Sequence, residues 1–241
     1  MVAVLTLDRV AKSFGGVKAI DDLSFDVIAG EVLGIIGPNG AGKSTLFNLI
    51  CGFYRADKGR IVFDGKFIER LAPHQITRLG IARTFQLCAV FPSLTALDTV
   101  ALAAGLRSKQ KEAYRIAEGL LERFGLADKA GSPSEVMTPV DMKLLELCKA
   151  LATQPQVVLL DEVMSGLTHV EAKTVLDQIV RLPAQGVTPI IVEHGMHIIT
   201  AACKRVVVLN FGRKIADGTP AEVVANKAVI DSYLGQEVVS A

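Results

Sequence analysis

The sequence predicts an α/β fold: a mixed, largely parallel sheet as core, an antiparallel β subdomain ahead of it, and an inserted helical lobe. Three observations lead there. Gly37-Pro38-Asn39-Gly40-Ala41-Gly42-Lys43-Ser44 fits the phosphate-loop pattern G-x-x-x-x-G-K-[ST], with an apolar run (Val32 to Ile36) leading in and Leu46-Phe47-Asn48-Leu49-Ile50 leading out at helical spacing. Val157 to Leu160, Ile190 to Val192 and Val206 to Leu209 are apolar runs of the kind that parallel sheets bury on both faces. Between the loop and these runs, residues 87–150 carry helix starts and helical periodicity instead.

Residues 2–30 read as short strands with alternating apolar positions, broken by the Gly15-Gly16 turn. The phosphate loop follows. Its glycines let the backbone curl so that N–H groups turn towards phosphate oxygens, and the helix beginning near Lys43 adds its positive dipole end. In such a loop Lys43 reaches the β and γ phosphates, and Ser44 holds Mg²⁺. Arg60 to Ile68 is a hairpin about the Asp64-Gly65 turn and joins the first small sheet. From about Leu87 the pattern turns helical: Thr95-Ala96-Leu97-Asp98 starts one helix, and Glu112 to Leu126 places Ala113, Ile116, Ala117, Leu120, Leu121 and Phe124 on one face. Thr168-x-x-Glu171 is a capping box opening a helix to Val180, and Thr219-Pro220-Ala221-Glu222 opens the final one. The chain divides into a core with the β subdomain, residues 1–86 and 151–241, and a helical lobe, residues 87–150.

With 241 residues, half of them apolar, the chain has enough material for a sizeable core. A net charge of +1, from 26 basic and 25 acidic residues, excludes nucleic acid as the main partner, because a duplex-binding surface needs a broad basic footprint. Met1 to Arg9 has no basic leader, and no stretch approaches a membrane span, so the expected location is cytosolic with any membrane role exerted through a partner. Cys51, Cys88, Cys148 and Cys203 stand far apart without a C-x-x-C pair and read as small buried hydrophobes.

The strand Val157 to Leu160 delivers Asp161 and Glu162 at its carboxyl end, where open α/β sheets hold ligands. Beside a phosphate loop, Asp161 suits the Mg²⁺ coordination shell and Glu162 suits polarising an attacking water.

On Gly37 to Thr45, Leu160-Asp161-Glu162 and their order, the chain resembles the ATP-binding subunit of an ABC transporter from end to end. Arg83-Thr84-Phe85-Gln86, Val192-Glu193-His194 and Val208 to Pro220 are similar to the ATPases of branched-chain (hydrophobic) amino acid importers. The resemblance implies an ATPase using ATP and Mg²⁺, with Gln86 contacting the metal and the attacking water, His194 hydrogen-bonding the γ-phosphate, and Phe14 stacking on adenine. It implies permease partners, docked on Leu87 to Thr99, at the cytoplasmic face of the membrane, a second ATPase subunit, and indirectly a periplasmic or extracellular binding protein. His74, His169 and His197 have no functional placement and read as surface residues. Competing readings are the ATPase of a lipid or lipopolysaccharide exporter, a non-transport ABC ATPase, and a phosphate-loop kinase acting on a small molecule. Large insertions, an acceptor pocket and a lid are not apparent for the last two.

The departure from the family is its signature motif, usually Leu-Ser-Gly-Gly-Gln. The motif here is Met137-Thr138-Pro139-Val140-Asp141, and Val140, 21 positions before Asp161, replaces a glycine. Thr138 keeps a hydroxyl and caps a helix with proline at its first position. Pro139 removes an N–H, Val140 adds a branched side chain, and Asp141 is expected to bring negative charge towards an anion. The motif serves the partner's nucleotide, so the expectation is a heterodimer with asymmetric sites. In Ser165-Gly166-Leu167-Thr168, in the loop that crosses between subunits, Thr168 stands where the family commonly has Asp or Asn, and its capping role is sufficient to explain it.

Overall fold

The computed structural model describes residues 2–84, 94–193 and 195–237. Strands β1 (Ala3–Phe14) and β2 (Val17–Ile28) are antiparallel, and β1 also pairs with β4 (Lys58–Phe63), which turns through Asp64-Gly65 into β5 (Lys66–Phe67). The sheet order is β2-β1-β4-β5. Where short strands were expected, β1 and β2 run 12 residues each. Bulges explain the difference: Arg9 (φ 47°) and Asp22 (φ 56°) interrupt the pairing, so the buried positions shift from Leu5 and Leu7 to Val10 and the alternation restarts.

The second sheet has the order β10-β9-β3-β8-β7-β6, with β3 (Leu33–Ile36) between β8 (Thr188–Val192) and β9 (Arg205–Asn210). Its other members are β6 (Ile81–Arg83), β7 (Val157–Asp161) and the antiparallel edge strand β10 (Arg213–Gly218). Apolar residues cover both faces. Val157 and Leu159 of β7 face the small sheet with Leu5, Leu7 and Phe47, while Val158 and Leu160 face the helices with Leu144, Leu145 and Val175. This two-sided burial is why the parallel strands lack a polar alternation.

Helix α1 (Lys43–Ile50) follows β3, and α2 (Pro73–Leu79) precedes β6. Helices α3 (Ala96–Ala104), α4 (Gln110–Arg123) and α5 (Pro139–Ala152) pack on one another as the sequence pattern predicts. The side chain of Thr95 caps α3 by accepting the Asp98 N–H at 3.0 Å. Arg107, just beyond α3, donates to the Thr77 and Arg78 carbonyls at the end of α2 and to the Gln154 carbonyl after α5, tying these helices to the core.

Helix α6 (His169–Ile179) opens on the Thr168/Glu171 capping box, and α7 (Met196–Ala202) leads to β9. The helix capped by Thr219 is not the last: α8 (Pro220–Val224) stops, and α9 (Lys227–Glu237) follows. Asn226 makes the break, its side-chain oxygen accepting the Ala228 N–H at 2.9 Å and restarting the helix. Cys51, Cys148 and Cys203 are buried free thiols whose pKa burial pushes up to about 12; Cys88 lies outside the described residues.

Candidate active site

The phosphate loop runs from the end of β3 to the start of α1, at the carboxyl edge of the large sheet. Two glycines are dictated by close packing. A Cβ on Gly37 would sit 2.1 Å from the Leu209 carbonyl oxygen, and one on Gly42 2.5 Å from that of Ala19. These contacts press the loop between β9 and β2. The turn after β9 completes the seat, with the Gly212 N–H donating to the Ala41 carbonyl at 3.0 Å and Arg213 paired to Asp21 at 2.6 Å.

A cleft of about 280 Å³ opens over the loop, lined by Asn39 to Thr45, by Val17, Lys18 and Ala19 of the β1–β2 hairpin, and by Glu162 and Phe211. It is smaller than the apolar groove of about 610 Å³ between α3 and α4, but of the two it is the one that combines a phosphate loop with a carboxylate. Helix α1 has no side-chain cap at Gly42, so its first turn is not closed by its own residues. Lys43 is buried, and its ammonium donates to the carbonyls of Gly37 (2.5 Å) and Pro38 (3.0 Å), so it lies across the loop. Burial lowers its pKa, and the nearby charges of Glu162 and Asp161 oppose that shift. Ser44 is exposed beside it. On α9, the Tyr233 hydroxyl meets the Gly37 N–H, and burial raises its pKa against that contact.

Asp161 ends β7 with its carboxylate almost buried. Its Oδ2 accepts from Arg83 Nη2 at 2.7 Å, while Nη1 of the same guanidinium donates to Asn48 Oδ1 at 2.6 Å. Arg83 thus fixes Asp161 against α1. Sequence reasoning gave Arg83 no role, and no local signal carries one, since its partners lie 35 and 78 positions away. Glu162 stands at the cleft with φ 49°, a left-handed backbone that a glutamate adopts only when its surroundings hold it there.

Phe14 lies at the end of β1, 43% exposed, with Tyr54 edge-on at 5.0 Å between ring centroids and the Lys12 ammonium 5.3 Å from its ring. It does not line the loop cleft; residues 17–19 of its hairpin do. Gln86, His194 and most of Leu87 to Thr99 lie outside the described residues, as do the side chain of His197 and its contacts; His74 and His169 are exposed.

The helix α5 start corrects one expectation. Asp141 does not project charge at an anion: it is buried, its Oδ2 accepting from the Thr138 N–H (3.1 Å), the Thr138 hydroxyl (2.6 Å) and the Lys129 ammonium (2.6 Å). Those hydrogen bonds outweigh its burial and keep its pKa low, while Asp141 raises that of Lys129. Val140 packs against the core. Lys129 was missed because the pairing spans 12 positions and a segment with no continuous helix.

With this geometry in view, comparison with known proteins is direct. Residues 20–165 match the ABC transporter family, and residues 213–239 match the branched-chain amino acid ATP-binding cassette transporter family. The chain is 33% identical to the high-affinity branched-chain amino acid transport ATP-binding protein LivG of Salmonella typhimurium, over 97% of this chain and 98% of the relative. It is equally identical, with the same coverage, to BraF of Pseudomonas aeruginosa, which carries the same description. A crystal structure of a nucleotide-free ATP-binding cassette from an ABC transporter superposes with a TM-score of 0.89 at 29% identity, covering 96% of this chain and 99% of that one. The ADP conformation of an ATP-binding cassette of an ABC transporter gives 0.89 at 30% identity over 98% and 100%. No helix among the described residues is long and apolar enough to cross a membrane. This chain belongs to the ABC transporter ATP-binding subunits and, with its ATP-binding loop, is an ATPase of the branched-chain amino acid cassette type.

Proposed function

We propose that this chain powers an importer for branched-chain or related amino acids from the cytoplasmic face of the membrane, bound to permease subunits and paired with a second ATPase of regular signature motif. A periplasmic or extracellular binding protein would select the substrate. The observation that carries the reading is the cleft over the phosphate loop with Glu162 at its rim. The loop N–H groups and Lys43 would receive the phosphates of ATP, with Lys43 giving up its carbonyl contacts to do so. Phe14 would take the adenine.

The hydroxyl of Ser44 and the carboxylate of Asp161 are hard oxygen donors that fit Mg²⁺, and Arg83 fixes the orientation of that carboxylate. When bound, the ion would neutralise charge developing on the phosphates. Glu162 would orient and polarise the attacking water, with Gln86 contacting the ion and that water and His194 hydrogen-bonding the γ-phosphate. The helical lobe, residues 87–150, would carry the movement to the permease.

In a reconstituted transporter, Glu162→Gln is expected to bind ATP and lose steady-state turnover. Unimpaired turnover in that variant would remove Glu162 from the mechanism.

Thr138 would face the partner's nucleotide. Its hydroxyl, however, is donated to Asp141, Pro139 has no N–H, and Val140 turns inward, so α5 offers that nucleotide few donors. This supports a heterodimer whose productive site is the one built on Lys43.

A further inference from the structure

We propose that Glu193 is a positioning residue for hydrolysis, its buried carboxylate holding the turn that sets Glu162. The inference rests on the reading of Glu162 as the group that polarises water. The turn is short, and among the described residues three hydrogen bonds hold it. The Glu162 N–H donates to the Val192 carbonyl at 2.9 Å, the Ser165 N–H to the Glu162 carbonyl at 3.1 Å, and the Met164 N–H to Glu193 Oε1 at 3.0 Å. The first two are backbone contacts, one continuing the β7/β8 pairing beyond Asp161 and Val192 and the other closing the turn on itself. The third depends on one side chain.

That side chain is costly to place there. Glu193 is 5% exposed, and a carboxylate at that depth is retained only against hydrogen-bond donors. One donor to it is the N–H two residues beyond Glu162, on a segment whose Val163 and Met164 are themselves buried. A glutamate at φ 49° has no intrinsic preference for that conformation, so the contacts on its far side decide whether it stays. In the sequence Glu193 also directly precedes His194, the residue proposed to meet the γ-phosphate. Displacing a water-orienting carboxylate by a fraction of an ångström slows the chemical step without changing how the loop takes nucleotide.

The test compares Glu193→Ala, Glu193→Gln and Glu162→Gln in the reconstituted transporter, reading ATP turnover, binding of a fluorescent ATP analogue, and melting temperature. Glu193→Ala is expected to lose roughly 10–100-fold in kcat with analogue affinity within about twofold of wild type. Glu193→Gln, which keeps an acceptor oxygen at the same place, is expected to recover most of the loss. Turnover of Glu193→Ala near wild type overturns the proposal. So does a loss in which affinity and melting temperature fall together, or one that glutamine leaves unrescued. Should Glu162→Gln itself turn over normally, it is the role of Glu162 that fails, whatever Glu193 does; an inactive Glu162→Gln beside an unimpaired Glu193→Ala removes Glu193 alone.

Discussion

Helices α1 and α5 both present an N-terminus of the kind that holds anions, and they begin in opposite ways. At α1 the cap position is Gly42 in a left-handed conformation (φ 104°) with no side-chain cap, so the first turn is left for a ligand. At α5 the Thr138 hydroxyl accepts the Asp141 N–H, the Asp141 carboxylate takes the Thr138 N–H and hydroxyl, Lys129 neutralises that carboxylate, and Pro139 contributes no donor. Both helices have the same dipole. What separates them is whether the protein satisfies its own end groups, and a self-satisfied terminus has less to give to phosphate.

The largest effect is expected at α1, where Lys43→Ala should lower ATP turnover of the assembled transporter by at least ~100-fold, since it removes a charged donor from the phosphates. Next, Gly37→Ala drives a Cβ into the Leu209 carbonyl and should cost about 2–3 kcal/mol, roughly 4–12 °C in melting temperature for a chain of this size, measured by calorimetry. At α5, Thr138→Ala removes the cap and is expected to cost about 1 kcal/mol by denaturant titration, with turnover at the Lys43 site unchanged.

The smallest effect concerns Asp141→Asn, which keeps a capping oxygen and loses the ion pair, for a drop of roughly 1–4 °C at pH 7. Because the folded state lowers the Asp141 pKa, its contribution is present above the ordinary carboxylate range, near 4, and is lost as pH falls through the depressed value. Lys129, raised in the folded state, keeps its charge from acid to above the ordinary lysine range, near 10.4. The melting temperatures of wild type and Asp141→Asn should therefore converge in acid. A gap that does not narrow as pH falls from 7 into acid would mean that the ion pair is not its source.

What was legible in the sequence was local. The phosphate loop, the Thr95, Thr138, Thr168 and Thr219 caps, the Asp64-Gly65 hairpin and the doubly buried strands each depend on residues within a few positions, and each is where the pattern puts it. What was not legible depends on which distant elements become neighbours. Arg83 meets Asp161 only because β6 pairs with β7, Glu193 meets Met164 only because β8 lies beside β7, and Lys129 meets Asp141 across 12 positions that form no continuous helix. The expected repulsion at Asp141 failed for that reason: the residue type implied a charge, and its partners decided where the charge went. The break at Asn226 failed differently, since an asparagine between two short helical patterns reads equally as a helix interior or a new cap.

In the proposed partnership this chain brings an open phosphate loop and a closed signature helix to a second ATPase. The most direct measurement is ATP turnover of the reconstituted transporter with Lys43→Ala in this chain alone, then with the corresponding lysine of the partner ATPase replaced alone. Near-complete loss is expected from the first and retention of most activity in the second. Equal loss from both would contradict that expectation.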